Sequence, residues 1–175
     1  KVLVPLSGKS LDMHWLSQQG HTVTGIELVE KAIIQFFQEW STSPVQENRE
    51  SGMRYSAERI HLYHADFFTV EPDEMPFDAW YDRAALVALP ASLRHAYVEK
   101  LCSLVSVDAK GLMVTFDYPQ EEMQGPPFAL SDLEVDALFS PYFNLERLQF
   151  TDLTQEEERD LSRCSLSVFL LQRRK

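Results

Sequence analysis

Apolar residues along this chain follow two rhythms that trade places several times. Val2 to Leu6 is a short apolar run that closes on Pro5, Gly8 and Ser10, the pattern of a buried strand meeting a turn. From Ser10, which reads as an N-cap, Leu11, Trp15 and Leu16 recur at helical spacing with Asp12 in the first turn, and Gly20 stops the run. His21 to Glu27 alternates as a second strand, and Ala32, Ile33, Phe36, Phe37 and Trp40 make the apolar face of a second helix. Ser41 to Glu58, with Pro44, Gly52 and many polar groups, reads as a loop. Ile60 to Ala65 and Phe77 to Tyr81 predict a third and a fourth strand, and Ala91 to Ser106 a helix with Leu93, Tyr97, Leu101, Leu104 and Val105 inward. Gly111 to Phe116 predicts a fifth strand, followed by a Gly-Pro-Pro loop at Gly125 to Pro127. A helix over Ser131 to Phe139 follows, its Ser131 cap standing three residues before Glu134 as in a capping box. Phe143 to Phe150 and Ser165 to Leu171 close the chain as strands with no amphipathic helix between them, so they should pair antiparallel. The acidic stretch Gln155 to Asp160 between them reads as a solvated face or turn.

Strands alternating with helices predict an α/β fold: a doubly wound, mostly parallel sheet of seven strands with an antiparallel C-terminal strand. At 175 residues one domain, 1–175, accounts for the chain. Hydrophobic content of 45% and charged content of 25% are ordinary globular usage, so the nine prolines do not imply disorder. Sixteen Lys+Arg against 27 Asp+Glu leave a net charge of −11, a field that repels phosphate backbones and anionic lipid and argues against nucleic acid or membrane partners. No apolar run approaches the ~20 residues of a spanning helix, and the first residues lack a basic region followed by an apolar secretory core, so the expected setting is the cytoplasm. No heptad or apolar surface stripe calls for a partner subunit, and a monomer is expected. Cys102 and Cys164 are too few for a disulfide framework and read as buried thiols. His61 and His64, three apart in a strand, would face opposite sides, so no metal site is expected.

In a doubly wound sheet, ligands bind outside the carboxyl ends of the strands, near the point where the strand order reverses. The residues there are Leu6-Ser7-Gly8-Lys9-Ser10, Glu27, Asp66-Phe67, Asp82-Arg83 and Asp117-Tyr118, and the fold should bring these five groups together. Gly8-Lys9-Ser10 ends like a phosphate loop, but Leu3 holds the place of its first glycine, so the loop is too short to wrap a triphosphate. The dinucleotide fingerprint fails as well, because Gly8 stands without the two further glycines that admit a pyrophosphate. What remains is the spacing from Gly8 to Glu27, near the ~20 residues at which an acidic side chain grips a ribose diol. That pattern suits a nucleoside without pyrophosphate, S-adenosylmethionine being the common ligand of the kind; an ordinary strand-end carboxylate is the alternative.

The wording of four segments goes further than spacing. Val4-Pro-Leu-Ser-Gly-Lys-Ser-Leu-Asp-Met13, Gly20-His-Thr-Val-Thr-Gly-Ile-Glu27, Tyr81-Asp-Arg-Ala-Ala-Leu-Val-Ala-Leu-Pro90 and Gly125-Pro-Pro-Phe128, in that order, resemble the thiopurine S-methyltransferase family. The resemblance implies a Rossmann-like class I methyltransferase fold and methyl transfer from S-adenosylmethionine to the sulfur of aromatic or heterocyclic thiols. Relatives in bacteria are also associated with selenium and tellurium compounds. By the same resemblance Leu6, Ser7 and Gly8 should contact the methionine portion of the donor, Glu27 its ribose, and Asp66 and Phe67 its adenine. Arg83 should stand near both donor and acceptor, and is the expected catalytic residue; an ion pair with Asp82 or another acid is its alternative role. Ser7 replaces a cysteine of the family's glycine loop. The family carries a helical segment before the first strand, with a tryptophan that helps cover the cofactor, and this sequence starts beside that strand, so the cover is expected to be missing. A non-catalytic nucleoside-binding module on the same sheet is the competing expectation.

Overall fold

A computed structural model of the chain describes residues 1–155 and 160–175. Most of the acidic stretch, Glu156 to Arg159, therefore lies outside the described residues. The chain divides into two compact units, Lys1–Tyr81 and Asp82–Lys175.

The first unit is built on strands β1 (Val2–Val4), β2 (Val23–Glu27), β3 (Val45–Arg49), β4 (Gly52–Ala57), β5 (Ile60–His64) and β6 (Phe77–Asp82), with helices α1 (Asp12–Gln18) and α2 (Glu30–Glu39). Its strands lie in the order β3-β4-β5-β2-β1-β6. The pairs β1 with β2, β1 with β6 and β2 with β5 are parallel, as the alternation of strand and helix requires. The chain moves outward from β1 through β2 to β5 and then returns to the other side of β1, so the order reverses at β1. Met13 of α1 and Ile33, Phe36 and Phe37 of α2 pack with Val4, Val23, Ile60 and Leu62 in one buried cluster.

Two expectations for this unit are corrected. Ser41 to Glu58 is no loop: it holds the antiparallel hairpin β3–β4, and β4 continues antiparallel onto β5. Gln46-Glu-Asn-Arg49 shows no apolar alternation; across the hairpin Glu47 stands opposite Arg54, which reaches both Glu47 and Glu74, at 2.5 and 2.7 Å, while Met53, Tyr55 and Ala57 of β4 pack on the core. Gly52, at φ +116°, closes the turn where a Cβ would stand 2.7 Å from the carbonyl oxygen of His64. The face of α1 is only partly as expected: Leu16 packs against the core cluster beside buried Met13 and Ser17, whereas Leu11 and Trp15 are 69% and 59% exposed. The helix starts at Asp12 with Leu11 at its cap, and Met13, Leu16 and Ser17 share one face at helical spacing, which leaves Trp15 outside.

The second unit contains α3 (Ala85–Ala88), α4 (Ala91–Leu104), β7 (Val105–Asp117), α5 (Asp132–Phe139), β8 (Phe143–Asp152) and β9 (Ser165–Arg173). β9 pairs antiparallel with β7 on one side and β8 on the other, as expected of the C-terminal strands. Among the described residues the strand count is nine rather than seven: the β3–β4 hairpin supplies the two extra. β9 alternates buried and half-buried residues from Ser165 to Leu171. Ser131 caps α5 by accepting from the Glu134 amide at 3.3 Å. The inward face of α4 includes Arg94 in place of Leu93, which is 40% exposed. Its C-cap, Val105, opens β7 directly, which is why the strand begins six residues earlier than apolar alternation indicates. Cys164 is buried and Cys102 half-buried. Among the described residues no helix is long and apolar enough to cross a membrane, and no cluster of three His, Cys, Asp or Glu side chains is placed to hold a metal ion.

Candidate active site

The turn after β1 sits at the order reversal, and backbone geometry fixes its shape. Leu6 and Gly8 both take left-handed backbone angles, φ 45° and 52°. That region is uncommon for a residue with a side chain, and such residues concentrate at functional sites. Ser7 donates its amide to the carbonyl of Ile26 at 2.9 Å, and Gly8 donates its amide to Oε2 of Glu27 at 2.8 Å. The other carboxylate oxygen, Oε1, accepts from the amide of Val29 at 2.7 Å. Glu27 thus ties the turn after β1 to the start of α2. An ionised carboxylate offers about four lone-pair sites, so each oxygen keeps capacity for one more donor after these bonds. A Cβ built at Gly8 would meet nothing within 4 Å, so the space above that turn is open.

Gly25 makes this geometry possible. A Cβ there would stand 2.4 Å from Cδ2 of Leu62, 2.8 Å from Oγ of Ser7 and 3.0 Å from Cβ of Ser7. The absence of a side chain at position 25 lets the turn lie directly against β2. Ser7 is buried, and its hydroxyl has no hydrogen-bond partner among the described residues.

The end of β5 joins the same region, because the amide of Ala65 donates to the carbonyl of Glu27 at 3.1 Å. Asp66 follows, exposed, with Oδ1 accepting from the amide of Phe68 at 2.9 Å. Phe67 is 3% exposed, its ring packed away at 5.8 Å from that of Phe68 and not presented to solvent. The structure therefore brings together three of the five strand-end groups: Leu6 to Ser10, Glu27, and Asp66-Phe67.

The other two groups lie in the second unit. Asp82 is 2% exposed, and its carboxylate accepts from the amides of Ala85 and Leu86 and, at 2.7 Å, from the hydroxyl of Tyr97. Burial pushes its pKa up even though all three donors favour the charged form. The carboxylate next in sequence to Arg83 is thus engaged in holding α3. Arg83 is exposed and lines a cavity of about 420 Å³ with Val87, Phe116, Pro126, Pro127 and Leu166. Apart from Arg83 and Thr115, the cavity wall is made of apolar residues. Tyr118 is buried and donates to the carbonyl of Pro127 at 2.6 Å, fixing the Gly-Pro-Pro loop. Asp117 pairs with Arg163 at 2.7 Å.

A family model described as thiopurine S-methyltransferase (TPMT) matches residues 1–174. The chain belongs to the thiopurine S-methyltransferase family. A thiopurine S-methyltransferase of Shewanella woodyi is 45% identical over 183 residues, covering 99% of this chain and 82% of the relative. One from Nitrosospira multiformis is 43% identical, covering 99% and 81%. Among solved structures, the 1,6-didemethyltoxoflavin-N1-methyltransferase of Burkholderia thailandensis, with S-adenosylhomocysteine bound, superposes with a TM-score of 0.67 at 17% identity over 99% of this chain and 71% of its own. That likeness establishes the Rossmann-like, class I methyltransferase fold. Gly25, the residue that lets the glycine turn approach β2, was not among the site residues expected from sequence. Its signal was present, since an isolated glycine inside a strand marks a close backbone approach. Phe116, Val87 and Leu166, which wall the cavity, were not expected either, because they come from three separate elements and share no local pattern.

Proposed function

We propose that this chain catalyses S-adenosylmethionine-dependent methyl transfer to the sulfur of aromatic or heterocyclic thiols such as thiopurines, acting through 1–175 as one methyltransferase domain. The observation that carries the donor assignment is the Glu27 carboxylate, bonded to the Gly8 amide beneath an open turn at the strand-order reversal. These residues fit the donor: a ribose diol needs two acceptors, Glu27 has one lone pair to spare on each oxygen, and no side chain at Gly8 obstructs approach. Glu27 would grip the ribose, the Leu6-Ser7-Gly8 turn would hold the methionine portion, and exposed Asp66, with the backbone of Phe67 beside it, would border the adenine. S-adenosylmethionine supplies, when bound, a methyl group already made electrophilic by its sulfonium.

What the protein then contributes is alignment, and reacting atoms in such displacements need to be held ~3–3.5 Å apart. The cavity lined by Phe116, Pro126 and Pro127 suits a flat apolar ring, and Arg83 on its wall suits an anionic sulfur. Arg83 lowers the cost of ionising the thiol by placing positive charge beside it, and the released proton passes to water. A thiolate aligned on that methyl group would take it directly, with S-adenosylhomocysteine as the leaving group, so no covalent enzyme intermediate would be needed. The net charge of −11 supports a small-molecule partner over nucleic acid, and we place the protein in the cytoplasm as a monomer.

Mass spectrometry after incubation with S-adenosylmethionine and a panel of thiophenol, 6-mercaptopurine, a selenol, a phenol and an amine tests this reading. Methylated thiols support it. Donor binding by isothermal titration without transfer to any acceptor would leave a nucleoside-binding module in its place.

A further inference from the structure

We infer that Arg94 is a positioning residue that sets the width of the cavity beside Arg83 and thereby which thiols it accepts. This rests on the reading of that cavity as the acceptor site. Arg94 is 3% exposed, and its guanidinium is spread over three separate segments. Nε donates to the carbonyl of Leu89 at 3.2 Å, Nη2 to the carbonyl of Ala129 at 3.1 Å, and Nη1 to Oε1 of Glu134 at 2.5 Å.

Two of those segments are cavity wall. Leu89 caps α3, whose Val87 and Ala88 line the cavity; Ala129 ends the loop whose Pro126 and Pro127 line it. The two walls meet directly at one bond, where the amide of Phe128 donates to the carbonyl of Val87 at 2.6 Å. α4 holds α3 at both ends: Arg94 takes the C-terminal end, and Tyr97, three residues on, takes the N-terminal end through Asp82. The loop itself has room to move. A larger cavity of about 720 Å³ is lined by Phe128 and Ala129 together with Arg94, Gln120 and Glu134. Arg94, with the bond from the Ala129 amide to Gln120 at 2.9 Å, holds the wall against that open volume. A planar guanidinium can serve three acceptors in fixed directions, and a lysine ammonium of similar charge cannot reproduce that fork.

The test is steady-state kinetics of Arg94→Lys and Arg94→Met in the full chain, with thiophenol as the single-ring acceptor and 2-mercaptobenzothiazole as the fused-ring one. Both variants should raise KM for thiophenol at least fivefold and leave KM for the fused-ring thiol within twofold. The dissociation constant for S-adenosylmethionine should stay within twofold. An equal loss on both acceptors, or no change on either, would overturn the inference, because a residue needed only for folding lowers all activity in proportion. Should neither variant fold, Glu134→Gln removes the charge that orients Nη1, and the same selective shift of at least twofold is expected; an unaltered ratio there would overturn it too. Wild-type protein that methylates neither thiol would instead refute the acceptor-site reading itself, whereas wild-type transfer with unselective variants refutes only the role of Arg94.

Discussion

Gly25→Ala is the substitution whose consequence can be worked most directly from the structure. Its Cβ would enter three contacts, at 2.4 Å from Leu62 Cδ2, 2.8 Å from Ser7 Oγ and 3.0 Å from Ser7 Cβ. The first is a methyl of Leu62, which is fully buried in the core cluster and can give only by shifting its neighbours. The other two are no more easily relieved, because Ser7 is short and its backbone is tied to Ile26 at 2.9 Å. The turn must therefore lift from β2, lengthening the bond between the Gly8 amide and Glu27. Overpacking of this kind costs about 1–3 kcal/mol of stability. Weakening a hydrogen bond to a charged group, worth about 1.5–3 kcal/mol when intact, should lower affinity for S-adenosylmethionine by about tenfold, since 1.4 kcal/mol is one such factor. Urea unfolding and isothermal titration read the two effects separately. Ser7→Gly removes both obstructing atoms, so Gly25→Ala/Ser7→Gly should recover most of the affinity, with a coupling of about 1 kcal/mol in a double-mutant cycle. A Gly25→Ala protein that unfolds and binds like the wild type, or a double mutant whose losses simply add, would refute the claim that this contact shapes the donor site.

Three further outcomes are expected. Glu27→Gln turns one acceptor oxygen into an amide donor facing the Gly8 or Val29 amide and removes the charge, so affinity for S-adenosylmethionine should fall about 10–100-fold by titration; an unchanged value would take the carboxylate out of the site. Arg83→Ala should cut turnover on thiols most at low pH, where fewer acceptors are already ionised, and a pH–rate profile parallel to the wild type would show that the guanidinium does not favour the thiolate. Tyr97→Phe removes a donor to buried Asp82 and should cost about 1.5–3 kcal/mol where that carboxyl is charged. Because burial raises the pKa of Asp82 in the folded state above its unfolded value, its neutral form is the one folding favours. Its contribution is therefore fully present below the ordinary carboxylate range and is lost as pH rises through the folded pKa. The penalty of Tyr97→Phe should grow from pH 4 to pH 8 in urea unfolding, and a penalty that does not vary with pH would refute the assignment.

Local pattern carried much of this protein. β1, β2, β5 and β6 are short apolar runs bounded by turn residues, and α2 shows its inward Ile33, Phe36 and Phe37 at helical spacing, so each was legible without a fold. Gly8 and Glu27 could be matched because the strand–turn–helix–strand unit between them has a nearly fixed length. The hairpin β3–β4 was not legible, since Gln46-Glu-Asn-Arg49 on its own looks like a loop and becomes a strand only by pairing with β4, whose Met53, Tyr55 and Ala57 pack on the core and whose Arg54 meets Glu47. Nor was the inward turn of Arg94: a charged residue is expected outside, and only the nearby carbonyl of Leu89 together with the carbonyl of Ala129 and the carboxylate of Glu134, 35 and 40 residues on, makes its burial favourable.

The sequence by itself determined strands β1, β2, β5 and β6, helix α2 and, through its spacing from Gly8, the carboxylate of Glu27, because these depend on periodicity and on neighbours a few residues away; that the strand order reverses at β1 came from the pairing of strands. Only the tertiary structure decided which face α1 buries, that Gly25 must lack a side chain, and which residues wall the cavity beside Arg83. Those outcomes depend on what each residue meets across space, and a one-dimensional pattern holds no record of which distant atoms will come within 3 Å.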